Sequence, residues 1–277
     1  MRAVATKLAC AAVLGIMFYG RAAAGPLDDA EAARDRGDFV SELKIVQRLA
    51  EQGDGRAETD LARAYETGKG QSVDYTKAAY WYRRAADQGV AEAQFNLSGL
   101  YEHGLGVAQS YEQAFFWCQK VAKRGIAAAE TRLGTLYQAG HGVPASPEQA
   151  VQWFGKAAQQ GLASAQYNLG VAYERGDGVA QDYSQAASWY VKASDQGLPQ
   201  ALVNLGLLYA KGQGEPQDYV RANAYFSLAA SKLSGDDLKM VSKLQEIGAG
   251  ILNPAQVMQA KQEAAAWISA HPSYRSE

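Results

Sequence analysis

Apolar positions in this chain fall into paired helical stripes. In the stretch from Leu162 to Gly197, Ala165, Leu169, Ala172 and Tyr173 lie at helical spacing on one face. Ala186, Trp189, Tyr190 and Ala193 then form a second stripe. The residues between are polar or glycine, so the pattern predicts two helices joined by a short loop. Gly176 stands where the first helix should stop, because glycine takes the left-handed conformation that a residue just past a helix end needs. Gly197 ends the second. Asp182 is placed to cap the second helix, with Gln185 three residues on. Ser110 with Gln113 and Ser146 with Gln149 read as capping boxes at matching sites. Pro147 takes the first helical position, where its missing N–H costs nothing.

The same unit recurs without insertion. Gly53, Gly89, Gly125, Gly161 and Gly197 are 36 residues apart, and so are Leu61, Leu97, Leu133, Leu169 and Leu205. Tyr65, Tyr101, Tyr137, Tyr173 and Tyr209 keep the step, as do Gly68, Gly104, Gly140, Gly176 and Gly212. Trp81, Trp117, Trp153, Trp189 and Tyr225 form an aromatic ladder that should sit in the core. A fixed period of this size marks a solenoid, in which each helix pair buries its apolar face only against its neighbours. The frame sets repeats at 54–89, 90–125, 126–161, 162–197 and 198–233.

The motif A-x-A-x-x-x-L-G-x-x-Y-x-x-G-x-G-V followed by A-x-x-W-Y-x-x-A-A-x-x-G resembles the Sel1-like repeat, a relative of the tetratricopeptide repeat. The resemblance covers Asp54 to about Leu233. It implies an all-α fold, a right-handed α-solenoid of stacked antiparallel helix pairs, and adaptor work in assembling complexes, often at bacterial envelopes. Exported proteins of this type restrain the outer domain of a sensor kinase, support exopolysaccharide export, or meet host proteins. Departures fall mainly in the outer copies: Ala62 and Ser98 replace the glycine of L-G, and the last copy has Glu215 for the loop valine and Tyr225 for tryptophan.

The flanks carry weaker versions. Asp28 to Arg36 and Ser41 to Gln52 read as a degenerate helix pair that caps the stack over 25–53, with Leu43, Val46, Leu49 and Ala50 on one stripe. The start of the mature chain, Gly25 to Leu27, reads as loose. Beyond the repeats, 234–277 reads as a C-terminal cap. Ser234 to Asp237 is a loop, Leu238 to Ile247 an amphipathic helix, and Asn253–Pro254 opens a helix that buries Val257, Ala260, Ala264 and Trp267. His271 onward reads as a polar tail.

Residues 1–24 have the marks of a secretory signal: Arg2 and Lys7, an apolar run from Leu8 to Tyr19, and Ala22-Ala23-Ala24 before Gly25. The run is shorter than the ~20 residues that span a bilayer. Cleavage after Ala24 places the protein in the periplasm or outside the cell, with no membrane-spanning segment left. It leaves 24 basic against 29 acidic residues, a formal −5, and such a surface argues against a nucleic-acid partner. Cys118 is then the one cysteine, so no internal disulfide forms, and its place among Tyr82, Phe154, Tyr190 and Phe226 marks it as buried.

Little in the sequence signals chemistry. Phosphate-loop, nucleophile-elbow and zinc-protease motifs are missing, and His103, His141 and His271 share no ligand spacing. No metal, cofactor or catalytic residue is expected. Ser41-Glu42-Leu43-Lys44 matches the S-x-x-K of β-lactamases, an activity linked to cysteine-rich relatives. Its companion motifs S-D-N and K-T-G are missing, and those relatives carry a disulfide in each repeat.

Function therefore falls to the surface. Helix periodicity turns the positions of Thr59, Phe95, Thr131, Tyr167 and Val203, with Asp60, Asn96, Arg132, Asn168 and Asn204 beside them, away from the stack, onto the face that lines the concave groove in repeats of this kind. The amides of Asn96, Asn168 and Asn204 can hydrogen-bond an extended backbone or serve inter-repeat packing. Phe95 and Tyr167 can anchor side chains, and Arg132 can pair with a carboxylate. The sequence therefore reads as an exported scaffold holding another envelope or secreted protein, or a peptide of one, with a β-lactamase-type hydrolase and a peptidoglycan or polysaccharide binder as the alternatives.

Overall fold

The protein is described from a computed structural model, which covers residues 27–271 and 274; the signal-like segment lies outside the described residues. Among the described residues there are fourteen helices and no strand. A leading pair, α1 (Asp28–Asp35) and α2 (Phe39–Glu51), precedes the repeats. The first helices of the five repeats are α3 (Gly55–Thr67), α5 (Ala91–His103), α7 (Ala127–Ala139), α9 (Ala163–Arg175) and α11 (Pro199–Lys211). Their second helices are α4 (Tyr75–Asp87), α6 (Tyr111–Ala122), α8 (Pro147–Gln159), α10 (Tyr183–Ser194) and α12 (Tyr219–Ala230). The chain ends with α13 (Gly235–Ile251) and α14 (Pro254–Ala270). Through the repeats, each helix packs on the helices before and after it in the chain, and the molecule is an α-solenoid of stacked hairpins.

Local chemistry fixes the helix ends. Every first helix stops at a glycine with φ between 66° and 75°, the left-handed cap. Asp74, Ser110, Ser146, Asp182 and Asp218 cap the second helices, each accepting the N–H three residues on. The boxes read from Ser110 and Ser146 are only half formed. The Ser110 and Ser146 backbone N–H groups donate instead to the Tyr101 (3.0 Å) and Tyr137 (2.9 Å) carbonyls, which leaves Gln113 and Gln149 without the reciprocal bond. Asn253 and Gln256 make the one complete box among the described residues.

The core sits one position along from the tryptophan ladder. Tyr82, Cys118, Phe154, Tyr190 and Phe226 are at most 3% exposed, whereas Trp81, Trp153 and Trp189 are half-buried at the seams and only Trp117 is fully buried. A cation lies over each indole from one turn on. Lys156 sits 3.9 Å from the Trp153 ring, Lys192 3.9 Å from Trp189, Lys120 4.7 Å from Trp117 and Arg84 4.9 Å from Trp81.

The ends differ from expectation in four places. Leu27 is buried against Val46, Leu49 and Leu61, so the chain is anchored from that residue. Asp38 caps α2 and accepts the Ser41 N–H, so the helix begins two residues before Ser41. α13 starts at Gly235 and runs four residues past Ile247. α13 and α14 both pack on α12 and barely touch each other. Beyond α14, Tyr274 is buried, and its hydroxyl donates to the Leu228 carbonyl at 2.6 Å.

Candidate functional site

The six residues singled out on the first helices lie in two neighbouring rows, Phe95 and Tyr167 in one and Asn96, Arg132, Asn168 and Asn204 in the other, and packing between repeats engages four of them. Arg132 reaches back from α7 to α5. Its Nη1 donates to the Phe95 carbonyl (3.0 Å) and the Ser98 hydroxyl (3.1 Å), its guanidinium stacks 4.0 Å from the Phe95 ring centre, and the Glu102 carboxylate lies 3.9 Å away. Gly99 makes room for it, since a Cβ there would come within 3.1 Å of Nη1. Asn204 donates to the Tyr190 hydroxyl (2.9 Å), which donates to Glu174 (2.6 Å), and Tyr167 lies 5.7 Å from the Tyr190 ring. Phe95 and Tyr167 are half-buried against neighbouring cores. Asn96 and Asn168 are half-buried, and their amides make no side-chain hydrogen bond among the described residues.

The Arg132 arrangement has a steric origin. In the third, fourth and fifth repeats a glycine faces an aromatic ring: a Cβ on Gly134, Gly170 or Gly206 would lie 2.5–2.7 Å from Phe154, Tyr190 or Phe226. The second repeat has Ser98 and Cys118 at those positions. The thiol is fully buried, donates to the Ala129 carbonyl at 3.3 Å, and is pushed up to about 12 by burial. Such a thiol carries no nucleophilic thiolate at neutral pH.

A second polar feature was not singled out from the sequence. Glu58, Gln94, Glu130 and Gln166 occupy one position of successive first helices and are at most 5% exposed. Glu58 accepts from Gln88 (2.7 Å) and pairs with Arg84 (2.8 Å); Glu130 accepts from Gln160 (2.7 Å). Gln166 accepts from Gln196 (2.8 Å), and Gln94 donates to the Ala86 carbonyl (2.9 Å). Burial raises both carboxyls above their ordinary value, opposed by Arg84 at Glu58 and by Lys156 at Glu130. The signal for this rail was there, as a glutamate or glutamine after the second alanine of A-x-A in the first four copies, with Leu202 in the fifth.

The face changes character along its length. At the N-terminal end Arg34 bonds Glu42 (2.5 Å) and pairs with Asp60 (3.3 Å), while Arg63 bridges Asp60 (2.8 Å) and Glu92 (2.7 Å). At the C-terminal end Leu207 and Ala210 open onto a cavity also lined by Phe226, Leu244, Ile247 and Ile251. Among the described residues no three His, Cys, Asp or Glu side chains gather as a metal site would need, and no helix is long and apolar enough to cross a membrane.

The fold is a solenoid of stacked helical hairpins. The Sel1 repeat model matches residues 55–90, 91–126, 127–162, 163–198 and 199–232. The chain belongs to the Sel1 repeat family, whose members typically mediate protein–protein interaction and are generally non-catalytic. It is similar to c5321, a protective antigen present in uropathogenic Escherichia coli strains and displaying an SLR fold, at 34% identity and a TM-score of 0.81. That match covers 90% of this chain and 54% of the E. coli protein, so the chain spans about half the length of that relative. A Sel1 repeat protein from Oxalobacter formigenes is 27% identical with a TM-score of 0.72, covering 89% of this chain and 98% of its own. No curated protein sequence matches the chain.

Proposed function

We propose that this chain is exported and acts in the cell envelope as a non-catalytic scaffold, holding a segment of another envelope protein and regulating an envelope signalling or exopolysaccharide system. The signal-like first 24 residues support the address. The observation that carries the binding surface is the pair of unengaged amides, Asn96 and Asn168, two repeats apart on one row. Each offers a donor and an acceptor to an extended backbone, while Arg132 and Asn204 hold the repeats that present them. The E. coli relative's being a protective antigen agrees with a location outside the cytoplasm.

Photocrosslinkers placed at 96 and 168 in the intact envelope test this reading. The expected result is one partner captured from both positions and lost in the Asn96→Ala, Asn168→Ala double variant, which keeps its stability. Equal capture by wild type and double variant would remove the row from the binding surface. Mass spectrometry of the exported protein tests the address, with Gly25 expected as the first residue.

A further inference from the structure

The 36-residue frame does not stop at the fifth repeat. Gly248, Gly250 and Ile251 stand one step beyond Gly212, Gly214 and Glu215, so the glycine pair that ends every first helix occurs a sixth time. In the repeats this pair has two tasks. The first glycine closes the helix in the left-handed conformation. The second, also at positive φ, lies flat on the first residue of the preceding second helix. Gly70 lies on Phe39, Gly106 on Tyr75, Gly142 on Tyr111, Gly178 on Pro147 and Gly214 on Tyr183, each so close that a Cβ would collide with backbone. The next residue of the loop packs on an apolar core where it is Val107, in the second repeat, and is exposed where it is Glu215, in the fifth.

The sixth seat, at Tyr219, is open. Gly248 and Gly250 have no positive φ and continue α13, which is 17 residues long where each first helix of the repeats has 13. The four additional residues are Gly248 to Ile251. A cavity lies against Tyr219, Ala222 and Phe226, and Ile251 at its rim is 53% exposed. Asn223 takes the position of Ala79, Phe115, Val151 and Ala187; its amide donates to the Gln245 carbonyl (3.1 Å) and ties α13 in its extended form. Two glycines inside a helix each disfavour it about two- to fivefold relative to alanine. Four residues lie between Gly248 and the helix cap Asn253, one fewer than between Gly212 and Asp218, so the chain is long enough for the loop.

We infer that the last turn of α13 is a two-state strap: Gly248 to Ile251 unwinds, Gly250 seats on Tyr219, and Ile251 fills the cavity, closing the C-terminal end of the solenoid as a sixth first helix. The extended form keeps that apolar end open. No covalent step is involved, and the occupant is this chain's own segment, whose five in-frame counterparts already fill their seats.

Methyl NMR on the purified chain tests it, following the Ile251 methyl by relaxation dispersion. Wild type is expected to show exchange between an exposed position and one shifted by the Phe226 and Tyr219 rings. Asn223→Ala, which restores the residue of the first and fourth repeats, should enrich the shifted state severalfold. Gly250→Ala should abolish it, because its Cβ meets nothing within 4 Å in the extended form but would strike Tyr219 in the seat. A single Ile251 signal unmoved by either variant would overturn the proposal. So would exchange that scales with protein concentration, which would give the seat to a second copy.

Discussion

At the scale of single residues, a glycine makes room for the buried ring in the third, fourth and fifth repeats, while the first seats Tyr82 in a pair that carries Ala62. Gly170 faces Tyr190 at a separation that leaves no space for a Cβ. Gly170→Ala is therefore expected to lower stability by about 1–3 kcal/mol, the usual cost of overpacking, in a urea titration. The second repeat solves the same problem differently, with Ser98, Cys118 and Arg132 sharing the volume. Cys118→Phe should destabilise by a similar ~1–3 kcal/mol, and adding Ser98→Gly should recover part of it; a double-mutant cycle reads the coupling directly. The buried rail gives a pH test. Burial raises the Glu130 carboxyl above its ordinary 4.5, so the folded state holds more protons just above that pH. Its contribution is greatest below pH 4.5 and is lost as pH rises through the folded value. Glu130→Gln, which copies Gln166, should stabilise the protein at pH 7 and flatten the fall in urea midpoint above pH 4.5. A loss of stability at pH 7 would show that the acid is needed for its bond to Gln160.

Among the elements, helix positions were legible because each end is set by a local residue: a glycine at the close of first helices, an aspartate or serine at the start of second ones. The depth of burial was not. Trp153 and Phe154 are adjacent apolar positions, and a 3.6-residue period alone does not rank neighbours separated by one step. The structure puts Phe154 at 1% exposure and leaves Trp153 half-buried under Lys156. Phe154→Ala is accordingly expected to cost about 3–5 kcal/mol, and Trp153→Ala less, by denaturant unfolding. The length of α13 was hidden for a related reason: a glycine permits the left-handed turn, but docking of the following loop is what enforces it. The tail was misread because polar neighbours masked Tyr274. Tyr274→Ala removes a buried ring and its bond to Leu228 and should increase hydrogen exchange across α14, whose end is also held by His271 bonding Asp195 at 3.0 Å.

For the whole molecule, the repeat period was enough to give the stacked architecture, since uninterrupted pairs have no way to bury their faces except against each other. Small-angle scattering should give a radius of gyration above the ~18 Å of a compact globule of about 250 residues. The candidate surface was legible as a row but not as a set of free groups. Arg132 and Asn204 look available in sequence, yet their partners lie 34 and 14 residues away, at distances only the stack brings together. The row passes from charged pairs around Arg63 to apolar walls around Leu207, so its two ends differ chemically.

Near-identical hairpins strung on one chain face a hazard during refolding: any one can clasp the wrong neighbour. The Ser98–Cys118–Arg132 junction works against this as a keyed joint. The Arg132 guanidinium lies over the Phe95 ring and bonds the Ser98 hydroxyl, and no other repeat has an arginine or a serine at these two positions, so only the third hairpin on the second can make this contact. The array thereby carries a built-in origin from which the remaining hairpins can be counted off in order.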